Sequence, residues 1–158
     1  MQKKVNILIS GGSGFLGSNL VNFLSNYKKY NLYVLKRSRS NLSRINKNKL
    51  SKLNFITYPN KNLSKIFKQK KIDVVIHCAT NYGNKKNTIS EIIQPNLILP
   101  MQLLDLCYLN KAKCFLNTDT VLDKRVSNYS LSKSQFSEWL KHYSKNFACA
   151  NIKIEHFF

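Results

Sequence analysis

Four of the five glycines in this 158-residue chain fall within one window of seven residues, from Gly11 to Gly17. The segment reads Ser10-Gly11-Gly12-Ser13-Gly14-Phe15-Leu16-Gly17, directly after an apolar run and at the start of a helical pattern. Glycines at 11, 14 and 17 suit a tight turn, close approach of bare backbone to a pyrophosphate, and a close helix-strand contact. Because N–H groups at a helix start attract negative charge, the segment predicts a dinucleotide-binding loop. A plain glycine turn is the alternative.

Short apolar runs alternate with helical patterns along the whole chain, which predicts βαβ units around a parallel sheet. The candidate strands are residues 5–9, 32–35, 53–57, 74–77, 114–116 and 152–157. Three apolar stripes predict helices: Leu16, Leu20, Leu24 and Tyr27; Leu97, Met101, Leu104 and Tyr108; and Tyr129, Lys133, Phe136 and Leu140. Pro95 and Pro100 suit the entry of the second helix better than its middle. The polar segment 38–53 predicts a short or frayed helix.

The formal net charge is +19, from 26 Lys plus Arg against 7 Asp plus Glu. Such an excess raises the question of nucleic acid or an anionic membrane as a partner. The lysines are spread over the chain among asparagines, and no basic stripe interleaved with aromatic residues occurs. We therefore attribute most of the charge to a general bias toward Lys, Asn and Ile, and expect no nucleic-acid or membrane partner.

The four cysteines, Cys78, Cys107, Cys114 and Cys149, show no paired spacing and predict buried thiols in a reducing compartment. No signal-peptide pattern or stretch long enough to span a bilayer is found, so we expect a cytoplasmic protein. His77, His142 and His156 lack ligand spacing, and no metal site is expected.

The end of the second predicted strand bears on the type of dinucleotide. A carboxylate there would bind the ribose 2′-hydroxyl of NAD, whereas basic residues accommodate the additional phosphate of NADP. The sequence has Lys36-Arg37-Ser38-Arg39 at this point and no acid nearby. We predict NADP, with Lys36, Arg37 and Arg39 as phosphate ligands and NAD as the alternative.

A tyrosine and a lysine, Tyr129 and Lys133, lie four residues apart and so share one helical face. A nearby ammonium favours the phenolate and brings the tyrosine pKa toward the working range for acid-base chemistry. Upstream, Asn117-Thr118-Asp119-Thr120 follows an apolar strand and places hydroxyls at the sheet edge where open α/β folds bind ligands.

The glycine loop, the stretch Asp73-Val74-Val75-Ile76-His77-Cys78-Ala79, the hydroxyl cluster and the Tyr/Lys pair together resemble the extended short-chain dehydrogenase/reductases, the NAD-dependent epimerase/dehydratases of nucleotide sugars. The resemblance implies a Rossmann-like, doubly wound parallel sheet of six strands with helices on both faces. It assigns catalysis to Thr118, Tyr129 and Lys133, with Lys133 also holding the nicotinamide ribose. The expected cofactor-binding residues are Gly11, Ser13, Gly14, Phe15, Leu16, Gly17, Lys36, Arg37, Arg39, Cys78, Ala79, Thr80, Asn96, Tyr129 and Lys133. For Asn96 a structural role is at least as expected.

Departures from the family pattern favour its reductases over its dehydratases. Dehydratases follow the threonine with an Asp-Glu pair, whereas Asp119 is followed here by Thr120. The resemblance therefore implies an NAD(P)-dependent reductase of a nucleotide 4-keto-6-deoxysugar, in polysaccharide biosynthesis such as that of O-antigen, with a nucleotide-sugar 4-epimerase as the alternative.

The family's carboxyl-terminal substrate lobe has no counterpart in these residues, so 1–158 correspond to the NAD(P)-binding domain alone, as a fragment or a truncated form. An inactive dinucleotide-binding remnant is the further alternative. Family members commonly pair two helices into a four-helix contact, which implies a homodimer through residues 97–108 and 130–143.

Overall fold

Six strands form one parallel sheet in the computed structural model, which describes residues 3–155. They are β1 (Val5–Ser10), β2 (Tyr30–Arg37), β3 (Asn54–Tyr58), β4 (Val74–His77), β5 (Cys114–Thr120) and β6 (Ala148–Ile154). Their order across the sheet is β3-β2-β1-β4-β5-β6, with every neighbouring pair parallel. The direction of winding reverses between β1 and β4, as in a Rossmann fold. The predicted doubly wound, six-stranded sheet is confirmed.

Helices cover both faces of this sheet, as predicted. They are α1 (Phe15–Leu24), α2 (Leu63–Lys70), α3 (Ile89–Ile93), α4 (Leu99–Leu109) and α5 (Asn128–Tyr143), with a 3-10 helix at Lys47–Lys52. On one face Val21 of α1 packs on apolar residues of β1 and β2. On the other, Phe67, Leu103 and Phe136 bring α2, α4 and α5 onto β4 and β5. The segment predicted as a short or frayed helix contains the 3-10 helix.

The last two strands are longer than their apolar runs indicated. β5 continues through the polar residues of 117–120, and β6 begins four residues before the predicted position 152. The two strands pair in register from Cys114 with Ala148 to Thr120 with Ile154. Pairing with a long neighbour thus extends a strand whose own sequence is weakly apolar. Positions 156 and 157 of the predicted strand lie outside the described residues.

The predicted stripe on α5 is confirmed, since Tyr129, Lys133, Phe136 and Leu140 are all buried. The stripe on α1 is only partly correct. Tyr27 lies beyond the helix end, and the most buried positions are Gly17, Ser18 and Val21. Small side chains face the sheet there because α1 approaches β1 and the glycine loop closely.

The prediction that Pro95 and Pro100 mark a helix entry is wrong. One continuous helix runs from Ile89 to Leu109, and both prolines lie inside it. A capping box at Thr88 begins this helix: its Oγ1 accepts from the Glu91 N–H (3.3 Å), and Glu91 Oε2 accepts from the Thr88 N–H (2.8 Å). Between α3 and α4 a π-helical turn, Gln94–Ile98, accommodates the missing proline N–H groups.

Contrary to the expectation from the sequence, the helix Ile89–Leu109 is long and apolar enough, by length and composition, to cross a membrane. In this structure its α4 part packs as a core helix. Leu99, Leu103, Leu104 and Cys107 are buried against the sheet and its neighbouring helices. The apolar composition is thus accounted for by the core of the domain.

Candidate active site

A cleft of about 1370 Å³ opens at the carboxyl ends of β1, β4 and β5, next to the point where the winding reverses. Open α/β sheets bind their ligands at such a point. The predicted site residues that line this cleft are Gly11, Ser13, Gly14, Phe15, Leu16, Gly17, Lys36, Arg37, Cys78, Ala79, Thr80, Thr118, Tyr129 and Lys133. Arg39 and Asn96 do not line it. The fold therefore gathers most of the predicted residues, from five separate segments, around one cleft.

The glycine loop is packed too tightly for side chains at three of its positions. Gly11 has φ +69°, and a Cβ there would lie 2.4 Å from the backbone nitrogen of Ala79. A Cβ at Gly17 would lie 2.2 Å from the carbonyl oxygen of Gly11. Gly12, to which the sequence assigned no role, faces the Val34 side chain of β2, with an added Cβ 2.6 Å from Val34 Cγ1. The loop is thus fixed between β2, α1 and the residues after β4.

Gly14 differs, because its backbone is exposed. An added Cβ would meet one atom within 4 Å, the Gly11 carbonyl oxygen at 3.2 Å, which is a tight contact. Gly14 is also the N-cap of α1, and no side chain caps the helix start. An uncapped helix start beside a residue without a side chain is what close approach of a pyrophosphate requires. These residues fit a dinucleotide.

At the end of β2, Lys36 and Arg37 line the cleft together with Ser40. The Arg37 N–H donates to Ser40 Oγ (3.0 Å), which folds the turn after β2 back toward the cleft. The sequence interpretation missed Ser40, whereas it included Arg39, which is exposed and outside the lining. The first acidic residue in the chain is Asp73, so β1, β2 and β3 bring no carboxylate to this end of the cleft.

The three predicted catalytic residues lie together on the opposite side of the cleft. The Thr118 hydroxyl donates to the His77 carbonyl oxygen (3.0 Å), which joins the ends of β5 and β4. The Lys133 ammonium donates to the Thr118 carbonyl oxygen. Tyr129 lies in the first turn of α5, and its ring contacts that of Tyr82, with centroids 4.9 Å apart. Tyr82 was not predicted as a site residue.

Electrostatics at this pair differ from the sequence expectation. Burial raises the pKa of Tyr129 above its ordinary value, and hydrogen bonding with Thr120 and Thr80 only partly opposes this. The Lys133 ammonium donates to the Thr118 carbonyl oxygen. Burial lowers the pKa of Lys133 itself to about 8, against the opposing charge of Asp119. Activation of the phenol by the lysine therefore stays a prediction.

Asn96 shapes the cleft from behind. Its side chain is fully buried, and its Oδ1 accepts from Thr80 Oγ1 (3.0 Å) and from the Asn81 N–H (2.9 Å). Its Nδ2 donates to the Asn81 carbonyl oxygen (2.8 Å). These three bonds hold the segment after β4 in place, which supports the structural role considered for Asn96. The π-helical turn positions this asparagine.

Two other residues near the cleft are uncharged at neutral pH. Burial raises the pKa of the Cys78 thiol to about 12, which fits its interpretation as a packing residue. His77 is fully buried with its Nδ1 2.7 Å from Ser10 Oγ, and burial followed by the charge of Lys133 holds its pKa well below the ordinary value. Within residues 3–155 no group of three or more His, Cys, Asp or Glu residues is arranged to hold a metal ion.

Comparison with known proteins finds relatives that match nearly the whole of this chain. The chain is 32% identical over 163 residues to CDP-abequose synthase of Salmonella typhimurium, covering 95% of this chain and 52% of that protein. It is 29% identical to dTDP-D-glucose 4,6-dehydratase of Dictyostelium discoideum, covering 95% and 38%. The chain thus spans about half or less of the length of these relatives.

Among solved structures, UDP-glucuronic acid 4-epimerase from Bacillus cereus in complex with NAD superposes with a TM-score of 0.82 at 24% identity. That superposition covers 96% of this chain and 57% of the epimerase chain, and it supports the fold. The sequence itself matches the NAD dependent epimerase/dehydratase family over residues 7–157, which include the glycine loop, Thr118, Tyr129 and Lys133. With the cleft built from these elements, the chain belongs to the NAD dependent epimerase/dehydratase family.

Proposed function

We propose that residues 1–158 are the dinucleotide-binding part of an NADP-dependent reductase that acts on C4 of a nucleotide 4-keto-6-deoxysugar. The observation that carries this is the meeting of Thr118, Tyr129 and Lys133 in the cleft that also contains the glycine loop. The likeness to CDP-abequose synthase over 95% of this chain supports a nucleotide sugar as the substrate. Dehydratases of the family have an Asp-Glu pair after the threonine, whereas Asp119 is followed here by Thr120. This difference favours reduction over dehydration.

The proposed mechanism assigns one role to each residue. When bound, the reduced nicotinamide supplies a hydride to the carbonyl carbon at C4 of the sugar. Tyr129 donates its phenolic proton to the carbonyl oxygen, so that the product is a hydroxyl, and then recovers a proton from solvent. A raised pKa keeps the phenol protonated at neutral pH, which suits a proton donor in the reductive direction.

Thr118 and Lys133 orient this step. The Thr118 hydroxyl, which donates to the His77 carbonyl in this structure, would turn its proton toward the substrate oxygen. The Lys133 ammonium is held at the Thr118 backbone, one helical turn after Tyr129, where it would hold the nicotinamide ribose. Both groups act through hydrogen bonds, so a substitution at either should change the rate without changing the products.

Replacement of Tyr129 by phenylalanine tests the mechanism. In the protein expressed from the complete reading frame, Tyr129→Phe should lower kcat about 10²–10⁴-fold, the usual contribution of a general acid, while NADPH binding stays unchanged. Tyr143→Phe is the matched control, because Tyr143 lies on the same helix and hydrogen-bonds Asp105 away from the cleft. An equal rate for Tyr129→Phe and wild type would exclude the proposal. Copurified NAD that does not exchange would instead indicate a 4-epimerase.

We also propose NADP as the cofactor, because Lys36 and Arg37 line the end of the cleft to which β1, β2 and β3 bring no carboxylate. Fluorescence titration of the chain itself should show tighter binding of NADPH than of NADH. Arg37→Gln should weaken NADPH binding about tenfold and leave NADH binding unchanged, since it removes a phosphate ligand only. Arg39→Gln, outside the cleft, is the control. Equal affinities for the two nucleotides would refute the preference, and no binding of either would indicate an inactive remnant.

A homodimer is proposed through the outer surfaces of α4 and α5. Large apolar residues are exposed there, namely Tyr108, Leu109, Leu131 and Trp139. Analytical ultracentrifugation should show a dimer that Trp139→Glu converts to a monomer. Phe23→Glu is the control, because Phe23 is equally apolar and exposed on α1, on the other face of the sheet. A monomeric wild-type chain at micromolar concentration would refute this assembly.

A further inference from the structure

Asp119 lies within a buried polar network that the proposed mechanism does not use. Its Oδ2 accepts from Ser137 Oγ on α5 (2.7 Å) and from Asn151 Nδ2 on β6 (2.7 Å). Asn151 Oδ1 in turn accepts from Asn117 Nδ2 on β5 (2.7 Å). Asp119 is 7% exposed, so the carboxylate is held between two strands and a helix. A network of this extent fixes the direction of the carboxylate.

The network adjoins the catalytic lysine. Ser137 Oγ, which donates to Asp119, is also 3.0 Å from the carbonyl oxygen of Lys133. The Lys133 ammonium bonds the carbonyl oxygen of Thr118, the residue directly before Asp119. Lys133 is 1% exposed. A buried ammonium is stable only where an opposite charge lies close enough to compensate for its lost hydration.

The other titratable groups that face Lys133 cannot supply this charge. Cys78, after β4, is a neutral thiol because burial raises its pKa to about 12. His77 of β4 is a neutral imidazole, its pKa lowered by burial and by the lysine charge. Tyr129, on the lysine's own helix, is a neutral phenol because burial raises its pKa. Cys78 also favours the charged form of Lys133, but less than Asp119 does, so the Asp119 carboxylate is the main group that opposes the ammonium.

We propose that Asp119 is the buried counter-charge of Lys133, oriented by Ser137 and Asn151, and thereby a positioning residue for the Tyr129 and Lys133 pair. One carboxylate oxygen, Oδ1, is buried and has no hydrogen-bond partner among residues 3–155, so the negative charge is incompletely neutralised within the network. The Lys133 ammonium bonds the carbonyl oxygen of Thr118, the residue before Asp119, and both side chains are buried, so little water screens their charges. The charge pairing rests on this placement, whereas its consequence for catalysis rests on the proposed function.

Titration of the lysine tests the charge pairing without any cofactor. In the chain with ¹³C-labelled lysine, the Cε signal of Lys133 is assigned by its loss in Lys133→Met. Its midpoint should lie near pH 8 in the wild type. In Asp119→Asn it should fall by about one pH unit, because loss of a nearby opposite charge disfavours the ammonium. In Ser137→Ala, which removes one hydrogen bond but retains the carboxylate, the midpoint should move by much less.

Asp119→Ser provides a second neutral variant if Asp119→Asn does not fold, and Asp119→Glu should restore most of the midpoint. A Lys133 midpoint that is unchanged in a folded neutral variant would overturn the proposal. So would an equal shift in Ser137→Ala, since the effect would then follow local packing and not charge. Because neither readout involves NADPH or a sugar, this failure is distinguishable from failure of the proposed reductase function.

Discussion

Replacement of Gly17 by alanine should separate α1 from the glycine loop. The added Cβ would lie 2.2 Å from the Gly11 carbonyl oxygen and 2.8 Å from the Cα of Gly12. Both neighbours are backbone atoms, and Gly11 is itself confined by the backbone of Ala79. No side-chain rotation can relieve these contacts, so either the loop or the helix must move.

Two opposing effects set how much Gly17→Ala lowers the free energy of unfolding. Alanine is favoured over glycine in a helix by about 1 kcal/mol. Overpacking costs about 1–3 kcal/mol where side chains adjust, and a backbone contact this short should cost about 4 kcal/mol. The expected net loss is about 3 kcal/mol, a substantial part of the roughly 5–15 kcal/mol that stabilises a native domain. For a chain of this size that corresponds to a fall in Tm of about 6–12 °C.

Thermal unfolding followed by circular dichroism measures this change, and Gly14→Ser is the matched comparison. Gly14 has extended N-cap backbone angles, φ −74° and ψ 177°, and a serine hydroxyl could cap α1 there. Its Tm should stay equal or rise, whereas its affinity for NADPH should fall at least about tenfold, because the new side chain occupies the pyrophosphate approach. A Tm of Gly17→Ala within about 2 °C of wild type would refute the reasoning about loop packing.

Three further substitutions probe buried polar groups. Lys133→Met should flatten the pH dependence of the free energy of unfolding between pH 8 and 10.5. In the wild type, burial lowers the lysine pKa from 10.5 to about 8, so the unfolded chain binds the additional proton and stability should rise with pH across this range. Urea unfolding measures both profiles, and parallel profiles for variant and wild type would contradict this. Below pH 6.5 the free energy of unfolding of the wild type should fall with pH, since the unfolded histidine binds a proton that the buried one does not. His77→Gln should reduce this fall by about 1.4 kcal/mol per pH unit, and an unchanged dependence on pH would refute this. Asn96→Ala should lower the free energy of unfolding by about 2–4 kcal/mol, because its hydrogen bonds to Thr80 and Asn81 are lost. A decrease below about 1 kcal/mol would show that these bonds are dispensable.

Local patterns predicted the parts of the fold that depend on neighbouring residues. The glycine loop could be read directly, because a strand, a turn and a helix follow one another within residues 5–24. The face of α5 that contains Tyr129 and Lys133 followed from helical spacing alone. Pro95 and Pro100 led to a wrong prediction of where the long helix begins, although the capping box of Thr88 and Glu91 marks its start. A capping box marks the first turn of a helix, whereas a proline only lacks the N–H group for one helical hydrogen bond.

The electrostatics of the site could not be read in this way, because they depend on contacts between distant residues. Spacing placed an ammonium near a phenol, but it did not show that the ammonium bonds the Thr118 carbonyl, fifteen positions earlier. Likewise, Asp119 meets Ser137 and Asn151 at separations of 18 and 32 positions. The three residues belong to β5, α5 and β6, and only the assembled sheet brings them together. Spacing therefore predicts which groups react, whereas the buried network around them determines which of those groups carry charge.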